Sequence, residues 1–337
     1  MALIISFILR VMEQQPGPVN WAPFNPAPLP GAVHLWSMEA FAHGAEVVSY
    51  FRWKQCPFAQ EQYHAGMQEI LSDEIPLTRE KLAEWKEYLQ PAIAQVAIYF
   101  DYPSAWAYDV QPQGQTFDYF QLILAVYRAL RQMGLAIDIV SRASTLNDLG
   151  KYSLIFIPAV FELSPVLEAA LKAERSPFPA LIFGPRAPAF LRHVQLTLPR
   201  CVESLRPGAS IPLEGGGCFE RWFEPMALPL PPEQFLTVRS TAAGLPALMS
   251  CYWRKREEQP QTYYLNGWPC RETMLEMCRD LCESHSVGPL LDLPVSLRVQ
   301  PLIQGYLLLH YGSEEICWGG IRLPPAAVHY IPQLPSL

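Results

Sequence analysis

The chain has 337 residues, half of them apolar, so it is long enough for two or three domains with buried cores. Its 25 basic and 32 acidic residues give a formal net charge of −7, and neither sign gathers into a long block. This balance argues against a nucleic-acid partner.

The first segment predicts alternating strands and helices. An apolar run at the start is stopped by Arg10, far short of the roughly 20 residues of a membrane span. It also lacks the basic region and cleavage site of a secretory signal, so we expect a cytoplasmic protein without a membrane segment. The run predicts a strand that ends near Met12. A helix over 35–44 and a strand over 47–53 follow, and this order is typical of a parallel α/β structure.

A charged amphipathic helix is predicted next, over 78–89, with Thr78 as its N-cap and Pro91 beyond its end. Residues 91–95 then mark a domain boundary. After this boundary, short apolar runs alternate with helical patterns, which predicts an open, doubly wound parallel sheet. The predicted strands are 96–100, 135–140, 154–157 and 180–183, and the predicted helices are 117–133, 165–172 and 271–282.

The last segment changes pattern. From residue 293 onward apolar and polar residues alternate, which predicts a small antiparallel β-domain; the apolar positions include Leu297, Val299, Leu307 and Leu309. Earlier in the chain, Gly134 stands where the C-terminal cap of the 117–133 helix is expected.

Neither a nucleotide nor a metal is indicated. The first strand of the doubly wound segment is not followed by a GxGxxG loop. The eight cysteines are scattered without the paired spacing of a disulfide framework, so we expect them to be reduced thiols. Cys278 and Cys282 could face one helical turn, but a structural zinc site needs four ligands. We therefore expect no cofactor and no metal.

Two stretches carry residues suited to chemistry. VMEQQPGPVNWAPFN, residues 11–25, places Glu13 at the end of a buried strand, where a (β/α)8 barrel carries its catalytic groups. A salt-bridged or capping glutamate is the alternative. AFAHGAEVVSYFRWKQCPFAQEQYHAG, residues 40–66, offers Trp53, Lys54, Glu61 and His64 after the next strand.

Glu61 and His64 are three residues apart, so on a helical turn they project together. A carboxylate and an imidazole placed in this way can bind neighbouring hydroxyls of a sugar, while an indole covers an apolar sugar face. A metal-binding pair and a surface contact between the two side chains are the alternatives.

Both stretches strongly resemble family 42 β-galactosidases, and FDYPSAWAYDVQPQG, residues 100–114, resembles the opening of that family's trimerisation domain. The resemblance implies the end of an incomplete (β/α)8 barrel over 1–92, a Rossmann- or flavodoxin-like trimerisation domain over 93–287, and the small β-domain over 288–337. It also implies a homotrimer that binds a β-galactoside. By this likeness Glu13 matches the nucleophile, Trp21 the aromatic sugar platform, and Glu61 and His64 the ligands of the galactose hydroxyls. The aromatic residues that could anchor the trimer, or simply pack in a core, are Trp106, Tyr108, Phe117 and Tyr119.

The family's general acid lies in an Asn-Glu pair several strands before the nucleophile, and no such pair precedes Glu13. We therefore expect a truncated polypeptide that is inactive alone. The alternatives are a non-enzymatic trimerisation remnant and one subunit of a split enzyme, in which a separate upstream chain completes the barrel.

Overall fold

The computed structural model describes residues 9–19, 22–70, 73–112, 114–173, 179–194, 201–226, 235–251 and 261–335. The chain forms two compact units. The first unit combines Met1–Ile93 with Asp292–Leu337, and the second unit is Ala94–Leu291.

The first unit begins with two parallel strands, each followed by a helix. Its elements are β1 (Leu9–Gln14), α1 (Ala32–Ala42), β2 (Ala45–Tyr50), α2 (Met67–Ile70) and α3 (Glu74–Trp85). Val11 of β1 pairs with Val48 of β2, and Gln14 pairs with Tyr50. This is the arrangement of two consecutive strands of a (β/α)8 barrel, as the sequence predicted.

Helix α3 begins four residues before the predicted start. The predicted N-cap, Thr78, lies inside the helix, and its hydroxyl donates to the Glu74 carbonyl over 2.7 Å. The Glu74 carboxylate instead reaches α1, where it accepts hydrogen bonds from the backbone N–H groups of Gly31 and His34, both over 2.8 Å. The first N–H groups of a helix have no partner within the helix, so this carboxylate satisfies the start of α1 from a neighbouring helix.

The second unit contains a large sheet covered by helices. Its elements in chain order are β3 (Val96–Tyr99), α4 (Tyr102–Val110), α5 (Tyr119–Gln132), β4 (Ile137–Val140), α6 (Leu146–Leu149), β5 (Leu154–Ile157), α7 (Pro165–Leu171), β6 (Ala180–Phe183), α8 (Pro188–His193), β7 (Glu203–Ser204), β8 (Ser210–Pro212), β9 (Cys218–Phe223), β10 (Phe235–Ser240), β11 (Pro246–Cys251), β12 (Thr262–Leu265), β13 (Gly267–Pro269) and α9 (Arg271–Ser284).

The strand order of this sheet is β10-β11-β12-β6-β5-β3-β4. The strands from β4 to β12 are parallel, and they have the order of a flavodoxin-like fold. The sequence did not predict that β10 and β11 extend this sheet as antiparallel strands. Apolar clusters cover both faces, so β3, β5 and β6 are buried throughout. A shorter sheet joins β7, β8 and β13 to β9.

Helix α5 shows why the sequence pattern was informative here. Its N-cap Asp118 accepts a hydrogen bond from the backbone N–H of Gln121 over 2.8 Å. Just beyond its C-terminus, Gly134 has φ +80°, a left-handed conformation that glycine adopts without strain. The predicted glycine cap is therefore confirmed.

Of the four aromatic residues singled out as possible trimer anchors, three are buried in the core: Tyr108, Phe117 and Tyr119. The fourth, Trp106, is exposed.

The chain then returns to the first unit with β14 (Leu297–Pro301), β15 (Tyr306–His310), β16 (Ile316–Trp318), β17 (Ile321–Leu323) and β18 (Val328–Ile331). Antiparallel pairing joins β14, β15 and β18, and β16 pairs with β17. The three-stranded sheet shares a core with α1 and α3 instead of enclosing one of its own. The buried residues of this core are Leu35, Met38, Ala42, Trp85, Leu89, Leu302, Leu307 and Leu309.

Candidate functional site

Glu13 is the next-to-last residue of β1, and its side chain is exposed. The parallel pairing of β1 with β2 brings their C-terminal ends together, and the backbone N–H of Phe51, just after β2, donates to the Gln14 carbonyl over 3.1 Å. The loops that follow the two strands therefore begin side by side at one edge of the sheet. This is the edge at which barrel enzymes carry their catalytic groups.

Backbone hydrogen bonds fold the loop after β2 back onto itself. Met67 N–H donates to the Arg52 carbonyl, and Gln68 N–H donates to the Trp53 carbonyl, both over 2.8 Å. A third bond ties this loop to the one after β1, since Ala65 N–H donates to the Pro18 carbonyl over 3.0 Å. The backbone next to His64 is thus held against the segment that follows Glu13.

Glu61 and His64 lie on one turn of this loop, with His64 N–H donating to the Glu61 carbonyl over 3.0 Å. The Glu61 side chain is 48% exposed, and its carboxylate Oε2 lies 3.1 Å from Arg52 Nη1. A second guanidinium nitrogen, Arg52 Nη2, donates to the Glu61 carbonyl over 2.5 Å. Arg52 therefore fixes both the main chain and the side chain of Glu61.

The His64 side chain has a different environment. The residue is only 3% exposed, and its ring meets the Phe51 ring edge to face with 4.9 Å between centroids. Within the described part of the chain, neither ring nitrogen has a hydrogen-bond partner. A buried polar group without a partner costs about 1 to 3 kcal/mol, a cost that a ligand hydroxyl bonded to the imidazole would relieve.

Two indoles were candidates for the aromatic platform. Trp21 lies outside the described residues. Trp53 is 62% exposed, and it lines a cavity of about 360 Å³ between α1, β2 and α3 together with Tyr50 and Glu74.

The chain matches the family model described as β-galactosidase over residues 7–91 and the model described as β-galactosidase trimerisation domain over residues 94–186. It is 37% identical over 331 residues to a β-galactosidase of Thermus thermophilus, covering 91% of this chain and 48% of that protein. The chain belongs to the family 42 β-galactosidases. It spans about half the length of these curated relatives.

Solved structures of family members agree with this assignment. The β-galactosidase of the psychrophilic Marinomonas ef1 superimposes with a TM-score of 0.81 at 30% identity, over 95% of this chain and 52% of that one. The β-galactosidase of Halorubrum lacusprofundi superimposes with a TM-score of 0.80 at 26% identity, over 97% of this chain and 53% of that one. The described barrel strands and the flavodoxin-like sheet of this family 42 chain thus have counterparts in solved relatives.

All four residues predicted for the galactose site, Glu13, Trp21, Glu61 and His64, fall inside the segment that matches the β-galactosidase model. Arg52 also falls there, and sequence reasoning did not single it out. Its only sequence signal is a basic residue directly after a strand, which does not reveal that the loop folds back and brings Glu61 to the guanidinium.

Cys278 and Cys282 are buried in α9, and burial raises the pKa of both thiols, to about 12 for Cys282. Among the residues that the structure describes, no group of three or more acidic, histidine or cysteine side chains is arranged to hold a metal ion. In the same residues, no helix has the length and apolarity needed to cross a membrane.

Proposed function

We propose that this chain is the nucleophile-bearing portion of a retaining β-galactosidase, in which Glu13 attacks terminal β-galactosides and Trp21, Glu61 and His64 bind the galactose. The observation that carries the proposal is the buried, unpartnered imidazole of His64. It lies on the same turn as a carboxylate held by Arg52, in the loop beside the strand end that carries Glu13. This pattern suits a neutral ligand with adjacent hydroxyls.

The roles follow from what retaining hydrolysis requires. The Glu13 carboxylate attacks the anomeric carbon while a second carboxyl group, about 5 to 5.5 Å away, protonates the departing oxygen. The bond from that oxygen to the sugar breaks, and a galactosyl ester forms on Glu13. Water then hydrolyses the ester with the second group acting as base. Glu61 and His64 hold the sugar so that the anomeric carbon stays in line with Glu13.

In this proposal the 337-residue polypeptide does not turn over substrate by itself. Its sequence holds no Asn-Glu pair to supply the acid. In the described residues β1 and β2 pair only with each other, and apolar side chains of the two strands, such as Leu9, Met12 and Val47, are exposed. Sheet edges and apolar faces of this kind are covered by neighbouring strands in a closed barrel. A separate upstream chain that completes the barrel would supply both the acid and this cover, and a remnant that only trimerises is the alternative.

The second unit has an exposed face suited to a homotrimer. Tyr102, Trp106 and Val110 follow one another at helical spacing on α4, and all three are exposed. The Tyr102 and Trp106 rings are neighbours at 5.9 Å, and Phe120 adds a further exposed ring on α5. Exposed aromatic clusters are typical of protein interfaces. We assign this face, here called the α4 face, to contact with other copies of the chain.

The test combines the chain with the separately produced upstream part of the barrel of the Thermus thermophilus relative. We expect no hydrolysis of a nitrophenyl β-galactoside by the chain alone and measurable hydrolysis by the mixture. In the mixture, Glu13→Gln removes the covalent route and lowers activity by several orders of magnitude. Glu61→Gln removes a charge-assisted hydrogen bond of about 1.5 to 3 kcal/mol, so activity falls roughly 10- to 150-fold.

Glu46→Gln is the matched control, because Glu46 is an exposed glutamate on the adjacent strand β2, and its activity should equal that of the unaltered chain. A 2-deoxy-2-fluorogalactoside that traps the ester should label Glu13, as read by mass spectrometry of the digested protein. A label on another carboxylate would overturn the assignment of the nucleophile.

A further inference from the structure

Two cysteines of the second unit, Cys218 and Cys270, lie next to each other where β9 begins and β13 ends. The antiparallel pair β9 and β13 aligns Phe219 with Pro269. Cys218 precedes Phe219 as the first residue of β9, and Cys270 follows Pro269 as the N-cap of α9, so the two cysteines continue this register by one position. The backbone N–H of Cys270 donates to the Cys218 carbonyl over 3.0 Å. Residues opposed in an antiparallel pair have Cα atoms roughly 4.5 to 5.5 Å apart. This spacing lies inside the range of roughly 4.4 to 6.8 Å that a disulfide spans.

The side chain of Thr273 holds the two cysteines together. Its hydroxyl oxygen accepts from the backbone N–H of Cys218 over 3.0 Å and lies 3.1 Å from the Cys270 sulfur. Thr273 is fully buried, and it fits only because residue 217 is glycine: a Cβ at Gly217 would lie 2.2 Å from the threonine hydroxyl. Each thiol also shifts the pKa of the other. Both are free cysteines.

The two thiols are accessible and differ in acidity. Both residues are half-buried, and Cys218 lines an open cavity of about 490 Å³ with Arg206 and Arg221. Burial raises the pKa of the Cys218 thiol, and its hydrogen bond to Cys270 raises it further. Burial also opposes ionisation of Cys270, but hydrogen bonds from Thr273 and Cys218 outweigh it, so the pKa of Cys270 lies below the ordinary value. A thiolate is the nucleophile in thiol chemistry, so Cys270 is the more reactive member.

We propose that Cys218 and Cys270 form a dithiol site that reacts with low-molecular-weight disulfides and closes to an intrachain disulfide. The Cys270 thiolate attacks one sulfur of the small disulfide, forms a mixed disulfide and releases one thiolate. The Cys218 thiol loses its proton, and its sulfur attacks the Cys270 sulfur and displaces the second small thiolate. The two protein thiols lose two electrons and two protons in total, and the small disulfide takes them up as two thiols.

The experiment treats the full chain with oxidised glutathione, blocks the remaining thiols with iodoacetamide and maps the digest by mass spectrometry. We expect a peptide containing Cys218 joined to one containing Cys270 in the majority of chains, and its loss after dithiothreitol. This readout needs no variant. Cys218→Ser should stop the reaction at the mixed disulfide, with glutathione on Cys270. Cys270→Ser should leave Cys218 without glutathione under the same conditions.

Cys317→Ser is the control, since Cys317 is an exposed thiol of the first unit, and the cross-link should form as before. The proposal fails if both cysteines are recovered alkylated while glutathione is found only on exposed Cys201 or Cys317. It also fails if the cross-link joins either cysteine to a different partner, or if Cys218→Ser carries no glutathione on Cys270. None of these outcomes depends on galactoside hydrolysis.

Discussion

His34 and His64 are both buried imidazoles of the first unit, but they differ in how their ring nitrogens are satisfied. His34 Nδ1 lies 2.9 Å from the Thr78 hydroxyl oxygen. Because that hydroxyl donates its proton to the Glu74 carbonyl, its oxygen accepts from His34, which fixes the neutral tautomer with a proton on Nδ1. His64 has no such partner among the described residues, which suits a ligand-binding role. His34 is therefore a structural histidine, and its titration can be predicted.

Burial, followed by the nearby Lys81 ammonium, lowers the pKa of His34 from 6.5 to about 4. In the unfolded chain His34 takes up its proton first as pH falls, so its contribution to stability is present above pH 6.5 and is lost as pH falls from 6.5 towards about 4. We expect this fall in pH to lower the free energy of unfolding by about 2 kcal/mol, after allowing for partial solvent access to His34. NMR titration of the His34 ring should give the pKa, with the resonance assigned from His34→Gln. Urea unfolding at a series of pH values measures the cost, and a pKa near 6.5 for His34 would contradict the prediction.

At the residue scale, spacing alone predicted that Glu61 and His64 share a turn, because a separation of three residues is a local property. Spacing did not show that one side chain is exposed and the other buried. That difference arises from the loop closing over Phe51 and onto Pro18, contacts set by tertiary structure. The role of Arg52 was not predictable for the same reason.

At the scale of elements, the start of α1 depends on a carboxylate from another helix. Glu74 of α3 accepts from the N–H groups of Gly31 and His34, so Glu74→Ala leaves two N–H groups at the positive end of the helix without this partner. We expect the free energy of unfolding of the first unit to fall by about 2 to 3 kcal/mol. Urea denaturation followed by circular dichroism measures the loss, and faster hydrogen exchange of the α1 amides would locate it.

Glu80→Ala is the matched control for this change, because Glu80 is an exposed glutamate on the same helix whose contact with Lys81 is a surface ion pair of 3.5 Å. Such pairs contribute at most about 1 kcal/mol. If Glu74→Ala and Glu80→Ala cost the same, the cap is not a significant source of stability.

The bounds of some helices and strands could be predicted from the sequence, and those of others could not. Strands β5 and β6 have the predicted bounds. Each is a four-residue apolar run that is buried on both faces and flanked by loops, so the run itself defines where the strand begins and ends. The predicted start of α3 was wrong. The helix begins at Glu74, whose carboxylate caps α1, and α1 lies more than 30 positions earlier in the chain. The pairing of β12 with β6 was not predictable either, since residues 184–261 separate the two strands.

At the scale of the whole molecule, the division into segments depends on where the shared cores lie. The C-terminal strands were expected as a separate domain over 288–337, yet Leu307 and Leu309 pack with Leu35 and Trp85 in the core of the first unit. A small sheet is stabilised by its apolar face or by packing against a helix, and here the apolar face packs against α1 and α3. We therefore propose that residues 292–337 fold with the barrel elements and that the second unit extends to residue 291.

The contacts of Leu291, the final residue of the second unit, allow this boundary to be tested. Leu291 is buried against Gly134; its N–H donates to the Met133 carbonyl over 3.0 Å, and its carbonyl accepts from Arg279 Nη2 over 3.0 Å. A fragment of residues 94–291 keeps these contacts, and one of residues 94–287 loses them. We expect both fragments to fold, with the longer one more stable by about 3 kcal/mol in urea denaturation, from the buried leucine and its hydrogen bonds. Equal stability would place the boundary earlier.

The same fragment of residues 94–291 tests whether the second unit assembles by itself through the α4 face. Sedimentation equilibrium at micromolar concentration should give the mass of a trimer, because burying the exposed rings of this face between copies removes apolar surface from water. Trp106→Ser removes an indole that is 62% exposed, so it should shift the equilibrium towards monomer without lowering the stability of the monomer. Leu146→Ser, at an exposed apolar position of α6 that is not part of the α4 face, should leave the trimer intact. A fragment that sediments as a stable monomer would show that the α4 face does not drive assembly.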